Sequence, residues 1–554
     1  MSNSPANYKP NGGHPAIEVN PRARFEILGA VLLGLFLGAL DQTIVGPVLP
    51  RIVTDLHGAD YYTWVVTAYL VTSTVSIPIY SKLSDYFGRK PLLLAGISLF
   101  LAGSALSGLS QSMGELIFFR GLQGLGAGAL FPISLAVIGD LFTPTERAKY
   151  QGLFGAVFGV AFLVGPFAGG ALTDSLSWHA IFFVNLPLGA ISMYAIWHLL
   201  PSVKRAAAPL NLDWAGVLAI TLAIVPVLIA LTIAETGDWG AWGVWAGFGI
   251  GLVSLAAFLA IEWRAADPVI PLSLFRNRTF AISSIATFVT GFGLSVAIIF
   301  LPLWFQVVQG ASTTASGYMI FPFLIGLIGS SILAGIFISR TGTYKWLIVA
   351  GTMVLATGLI FLTNLRADTP TTTLWIWMIV AGIGFGPLMT AFTVIVQNTV
   401  PFKVLGTATG DLVLLRQLGS SVGLTIAFTV FRNNLTFGLI HDQVVGTGVP
   451  AGAFPVSAPA GFDPGALTSV GAGANPLSAF AGAIPPQFQT QVIEGFHRAF
   501  SIALADSMWI GVIAVIIAFG ASLLLQDIPL RRTHHAPEAQ TPRQTEKTSP
   551  IAMA

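Results

Sequence analysis

The chain has 554 residues, of which 54% are hydrophobic and only 9% charged, with a mean hydropathy of +0.78. Soluble domains carry about 25% charged residues, so no water-facing surface accounts for this composition and the solvent of most of the chain is lipid. The absence of cysteine excludes disulfides, thiol chemistry and cysteine-ligated metals, and a net charge of +2 gives no footing for nucleic acid.

Residues 1–24 are polar and rich in Pro, Gly and Asn. They lack the short apolar core and small-residue cleavage site of a signal peptide, so the first span is expected to target the chain and stay in place. A span takes roughly 20 mostly apolar residues. Fourteen such segments follow, at about 27–49, 61–80, 91–111, 115–138, 149–173, 179–200, 214–234, 242–262, 280–305, 315–338, 346–364, 373–398, 405–431 and 501–525. They are too long for barrel strands, and a helix is the open structure that satisfies its own backbone in lipid. An all-α integral membrane fold is therefore expected. Lys and Arg set the orientation. With the N-terminus inside, 20 of the 26 lie in inner segments and 4 (Arg51, Arg366, Arg432 and Arg498) in outer ones, while Arg120 and Arg416 fall within spans. An even number of spans then places both termini in the cytoplasm of a cell-membrane protein.

The residues that lipid makes expensive are few. Asp41 sits deep in the first span, where a carboxylate costs several kcal/mol unless it is paired, hydrated or protonated. Trp64, Tyr69, Gln123 and Gln397 are candidates to line a central cavity, aromatic faces accepting flat or cationic molecules; plain helix packing is the other reading. The loop after the second span reads Ser81-Lys82-Leu83-Ser84-Asp85-Tyr86-Phe87-Gly88-Arg89-Lys90-Pro91. Gly88 permits a tight turn, and Asp85 can bond the nearby cations or a helix N-terminus. Asp85, Gly88, Arg89 and Lys90 thus form a candidate conformational latch, against the alternative of an ordinary basic loop. Arg120 lies in the fourth span, about as far from its outer end as Asp41 from its own. Burial disfavours an ionised carboxyl and a nearby guanidinium favours it, so a modest rearrangement between the two can load and unload a proton. A static pair locking two helices is the alternative.

In the fifth span the small residues around Gly165, Pro166, Gly169 and Gly170 allow close helix approach, and Pro166 removes a backbone bond and bends the helix. Either a hinge or seal, or packing alone, follows. Asp411 and Arg416 share the thirteenth span but, five residues apart, not one face. Both join Asp41 and Arg120 as candidates for proton coupling, with Asp411 either a second proton or cation site or a solvated charge near the inner mouth. The outer loop 433–499, rich in Ala, Gly and Pro, reads as a flexible spacer, with Phe488 to Arg498 a candidate short interfacial helix. His198, His534 and His535 have no metal-like companions, and neither a metal nor a cofactor is expected.

A weak internal repeat relates Gly124-x-Gly126-x-Gly128 in the fourth span to Gly382-x-Gly384-x-Gly386 in the twelfth, and Gly88-Arg89-Lys90 to Arg340 through Lys345. Copies eight spans apart predict two six-helix halves with two spans inserted between them. The expected organisation is a tail 1–25, a bundle 26–200, a linker and inserted pair 201–265, a second bundle 266–527 and a tail 528–554.

These residues resemble a family. Leu40-Asp41-Gln42-Thr43-Ile44-Val45 through Leu49-Pro50 is similar to the first-span signature of the fourteen-helix drug:proton antiporters of the major facilitator superfamily. The loop 81–91, Arg120-Gly121-Leu122-Gln123-Gly124-Leu125-Gly126, the Gly165-Pro166-x-x-Gly169-Gly170 run and Phe182-Phe183-Val184-Asn185-Leu186-Pro187 resemble its further motifs, as do Leu212-Asp213-Trp214-x-Gly216 and Leu274-Phe275-Arg276. Together they cover about residues 25–430 and the last span. Ser81 stands where the family usually has Gly, Tyr86 where it has a basic residue and Ala161 where it has Gly; Asp411 is foreign to the pattern. The resemblance implies a major facilitator fold and a role in proton coupling for Asp41 and Arg120.

The expected function is a proton-coupled antiporter that exports amphipathic or cationic small molecules by alternating access. Its partners are those molecules, protons and the bilayer, with an envelope partner protein left open. Export of one endogenous lipid, siderophore or metabolite is the alternative within transporters. A membrane-embedded transferase is the alternative outside them, though the sequence holds no acid, histidine or phosphate-cradling motif for it. No nucleotide-hydrolysing motif is present, so an ion gradient supplies the work.

Overall fold

The computed structural model describes residues 20–202, 213–235, 238–455 and 486–527 together with Leu530, apart from positions 59, 60 and 62. His534, His535 and most of both tails lie outside these. All regular structure among the described residues is helical, and fourteen helices are long and apolar enough to cross a membrane. Spans 1–6 are Pro21–Asp55, Trp64–Phe87, Arg89–Ser107, Met113–Leu141, Pro144–Ser175 and Ala180–Leu199. Spans 7 and 8 are Trp214–Glu235 and Trp242–Arg264. Spans 9–14 are Arg278–Val308, Thr314–Thr341, Lys345–Leu362, Thr371–Thr399, Leu405–Asn434 and Gln489–Leu523. Most Lys and Arg gather at the end where span 1 begins, hereafter the basic end; the opposite one is the far end.

Local chemistry sets the helix limits. Asn20 caps span 1 by accepting from Arg22 N, with Pro21 in the first turn, and Ser112 caps span 4 through Glu115 N. Gly88, at φ 88°, makes the turn from span 2 into span 3, and Gly342, at φ 72°, closes span 10. Both are left-handed positions that a side chain would strain.

The repeat read from the sequence has a physical basis. Residues two apart on a helix point to opposite sides. A Cβ on Gly124 or Gly128 would meet the backbone of span 2, at Tyr69 and Ser73, while one on Gly126 would meet Gly96 and Phe100 of span 3. In the second half a Cβ on Gly382 or Gly386 would meet Phe323 and Leu327 of span 10, and one on Gly384 would meet Leu355 of span 11. Spans 4 and 12 are thus wedged in the same way between the second and third helices of their own halves. The result is two six-helix bundles, spans 1–6 and 9–14, which meet along span 5 against span 10 and span 2 against span 13.

Spans 7 and 8 pack on each other, and span 7 lies over the seam between spans 2 and 13. At the far end Thr67 of span 2 donates to Thr232 (3.5 Å). Thr425 of span 13 donates to Glu235 (2.9 Å), and the indole of Trp239 donates to Thr429 (3.0 Å). At the basic end the buried Lys82 of span 2 pairs with Asp267, just after span 8. Glu262 accepts there from the amides of Val269 and Ile270.

The loop 433–499, at the far end, holds more structure than its composition suggests. Phe437–Val445 is a helix whose Ile440 and Val444, four residues apart, are buried on one side. Val444 lies against Gly495, where only a missing side chain allows the approach. The short helix expected near Phe488 is instead the opening of span 14, which runs unbroken from Gln489. Residues 456–485 of the loop fall outside the described residues.

Candidate functional site

Asp41 and Arg120 meet. Arg120 Nη1 lies 2.7 Å from Asp41 Oδ2, with the two side chains 2% and 0% exposed. Asp41 Oδ1 accepts from Gln123 Nε2 (2.8 Å) and from Asn185 Nδ2 (3.0 Å). Gln123 turns its oxygen to Arg120 (2.8 Å), and Asn185 also donates to Ser104, which itself donates to the carbonyl of Phe182. The ring of Tyr69 lies 4.2 Å below the guanidinium, a cation–π contact. Spans 4 and 6 therefore meet span 1 at one carboxylate, and spans 2 and 3 support its partners Arg120 and Asn185. An ionised acid is satisfied here by a charge and two amide donors, which is the arrangement a buried ion pair needs. Asn185 was not singled out from the sequence, although it stands in the Phe-Phe-Val-Asn-Leu-Pro stretch. Gln123 and Tyr69 belong to this cluster, where both are buried.

At the basic end Asp85 makes both of the contacts its loop allowed. It pairs with Arg89 (2.8 Å) and accepts from the amides of Gly406 and Thr407 (3.2 and 2.8 Å) and from the hydroxyl of Thr407 (2.9 Å). Those amides open span 13, so one carboxylate of the first half caps a helix of the second. Arg89 is fixed in turn by Asp140 (3.0 Å) and Ser84 (2.6 Å). Lys90 points away, donating to the carbonyl of Trp197 on span 6. Gln397 reinforces this closure. It accepts from Gln151 (2.7 Å) and donates to the carbonyl of Leu135 and to Thr409. Arg147 contributes bonds to the carbonyls of Gly139 and Gln397.

Span 5 is gripped from two sides. Thr43 of span 1 donates to the carbonyl of Ala161 (2.9 Å), and a Cβ on Gly165 would collide with Thr43. A Cβ on Gly169 would sit 2.7 Å from the carbonyl of Ile44. On the other side Pro166 abuts Gly317 of span 10, and a Cβ on Gly170 would stand 3.1 Å from Thr314. Gly169→Leu is expected to push span 1, and Asp41 with it, off span 5. A loss of about 1–3 kcal/mol, read as a lower thermal midpoint in detergent, checks this; an unchanged midpoint would mean that the seam between spans 1 and 5 is not tight.

Asp411 is 1% exposed, and neither carboxylate oxygen has a partner among the described residues. A solvated charge at an entrance does not fit that burial. Its neighbour Gly410 lies against Ser81 of span 2, which places it at the seam beneath the inserted pair. Arg416, further along span 13, lines a cleft with Thr287, Thr290, Phe385, Leu388, Met389, Phe392, Thr393 and Leu412. Trp64, partly exposed at the start of span 2, is not among its lining residues, nor are Tyr69, Gln123 and Gln397.

The sequence pattern of the Major Facilitator Superfamily matches residues 31–424. The chain is 34% identical over 531 residues to the multidrug transporter protein MdtP of Bacillus subtilis (strain 168), a match that covers 93% of this chain and 95% of that protein. It is 36% identical over 432 residues to multidrug resistance protein 3 of the same organism, covering 78% and 83%. A solved structure of the proton:xylose symporter XylE aligns with a TM-score of 0.58 at 14% identity, over 92% of this chain and 98% of that one, which speaks for the fold alone. The transferase alternative falls with these findings. Fourteen spans in two wedged halves, the Asp41–Arg120 pair and a pattern match over most of its length place the chain in the major facilitator superfamily, as one of its transporters.

Proposed function

We propose that the chain is a proton-driven exporter of amphipathic small molecules, working by alternating access in the cell membrane with both termini in the cytoplasm. The observation that carries this reading is the Asp41 cluster: one acid, sealed from solvent, bonded by residues of spans 4 and 6, with Tyr69 of span 2 against its Arg120 partner. Protonating Asp41 removes the charge that Arg120, Gln123 and Asn185 all face, so the cluster loosens and spans 1, 4 and 6 are free to shift relative to one another. Arg120 keeps its charge throughout and draws the proton off again when the acid returns to its partners. The clamp at Asp85 holds the basic end shut while the far side exchanges protons and cargo. Its release opens the basic end to the cytoplasm, where the proton leaves and cargo enters. The names of the relatives support drug-like cargo.

The test uses purified protein in sealed proteoliposomes, with an imposed pH gradient and a panel of amphipathic compounds. Transport is expected to follow the gradient and to fall to background in Asp41→Asn. Equal transport with the gradient collapsed, or full gradient-driven transport by Asp41→Asn, would overturn the reading.

A further inference from the structure

Arg416 is a membrane-embedded cation that the Asp41 chemistry leaves unused. It follows Leu405, the first residue of span 13, by eleven positions, about 16 Å along a helix and so near mid-membrane. Among the described residues its guanidinium has neither an ion pair nor a hydrogen bond. Asp411 does not serve it, since five residues turn the two side chains roughly 140° apart on one helix. Asp41 is already held by Arg120. An unpaired charge at this depth is costly and faces a cavity or a functional partner. Arg416 faces the cleft between spans 9, 12 and 13.

The chemistry of that cleft is two-sided. Phe385, Leu388, Met389, Phe392 and Leu412 supply an apolar wall. In the same cleft as Arg416, the hydroxyl of Thr287 is buried with no partner among the described residues. A positive fork and a free hydroxyl at one corner suit an anion, since a guanidinium binds carboxylate or sulfonate oxygens bidentately. A cationic head at the same corner would meet repulsion. As it stands the cleft is narrow, about 10 Å³ and so room for roughly one water molecule; a headgroup and its first ring enter only as spans 9, 12 and 13 part.

We propose that the Arg416–Thr287 corner is a headgroup subsite for an anionic amphiphile, such as an aromatic carboxylate, whose ring lies against Phe385, Met389 and Phe392. This rests on the exporter reading and narrows its cargo from amphipathic molecules in general to those with a negative head. Of the expected cargo, amphipathic or cationic molecules, it keeps the amphipathic part and departs from the cationic one.

Equilibrium binding of tritiated 1-naphthylacetate, 1-naphthylacetamide and 1-naphthylmethylammonium to the full chain in phosphocholine nanodiscs tests this, with no gradient applied. The acid is expected to bind at least about tenfold more tightly than the amide, the worth of a charge-assisted pair, and the ammonium most weakly. Arg416→Gln should erase the acid's advantage while leaving the amide unchanged; Arg416→Lys should keep part of it, and Thr287→Val should reduce it severalfold. If anionic phosphatidylglycerol in the nanodisc competes only when Arg416 is present, the subsite stands with a lipid headgroup as its occupant. Tighter binding of the ammonium than of the acid, or an Arg416→Gln variant that still prefers the acid, would overturn the proposal. Because no gradient is involved, a negative result here leaves the proton-driven reading untouched, whereas failure of the gradient experiment would remove the cargo role of the subsite without altering the measured binding.

Discussion

Arg120→Gln is expected to destabilise the protein by about 3–5 kcal/mol, and Asp41→Asn/Arg120→Gln to recover most of that loss without recovering transport. The reason lies in the geometry. Removing the guanidinium leaves a sealed carboxylate with two neutral amide donors, Gln123 and Asn185, and no counter-charge. Asp41→Asn alone strands Arg120 in the same place, so it is expected to destabilise as well. In the double variant both charges are gone, and a neutral polar pair of similar shape is tolerated far better than half of an ion pair. Thermal unfolding midpoints in detergent give the stability cycle, and gradient-driven efflux gives the function. The two readings of the pair part company here. A lock between helices predicts that restoring stability restores transport; a proton carrier predicts a stable and inactive double variant. An active double variant would show Asp41 to be structural.

The second large effect concerns the clamp. Asp85→Ala removes two amide bonds to the start of span 13, a hydroxyl bond and an ion pair in one step. Arg89 keeps Asp140 and Ser84, so the first half stays intact while its grip on the second is lost. Charge-assisted bonds of this kind contribute about 1.5–3 kcal/mol each when buried. Even one such increment shifts a two-state equilibrium by at least about tenfold. The absence of native cysteine gives a clean readout. Leu405 is buried at the contact with Gly139 of the first half, so Leu405→Cys places one thiol inside the closed basic end. It is expected to react with a water-soluble maleimide at least about tenfold faster when combined with Asp85→Ala. Equal rates would mean that the clamp does not hold the closed state.

The spans were legible in the sequence because lipid imposes a length and forbids charge, and every one of the fourteen segments became a helix. The Asp41–Arg120 pair was legible for the same reason: two charges where none is tolerated leave few partners to choose from. What lay hidden was the rotation of each helix about its axis. In water an apolar stripe marks the inward face, but here the lipid face and the packed face are equally apolar. Gln123 and Tyr69 were therefore candidates for a cavity on residue type alone, and only their rotation brings them to Asp41. Asn185 escaped for a related reason, being a neutral amide among aromatics with no charge to draw attention. Asp140 and Gln151 act through partners distant in sequence, which no local pattern records. The glycine ladder is the exception. Its alternation between two neighbours left a readable trace in both halves, because a helix squeezed from opposite sides must be bare on both.

The inserted pair of helices carries one more implication. Lys82 is buried in span 2, and its counter-charge, Asp267, comes from the segment that follows span 8. Thr67 and Thr425, one in each half, likewise spend their far-end bonds on span 7. Trimming the chain to a twelve-helix core would therefore not be a clean excision. It would remove Glu262, which holds the amides of Val269 and Ile270 beside Asp267, and strip hydroxyl partners on both sides of the join, so a shortened version would need the Asp267 segment held against Lys82 by other means.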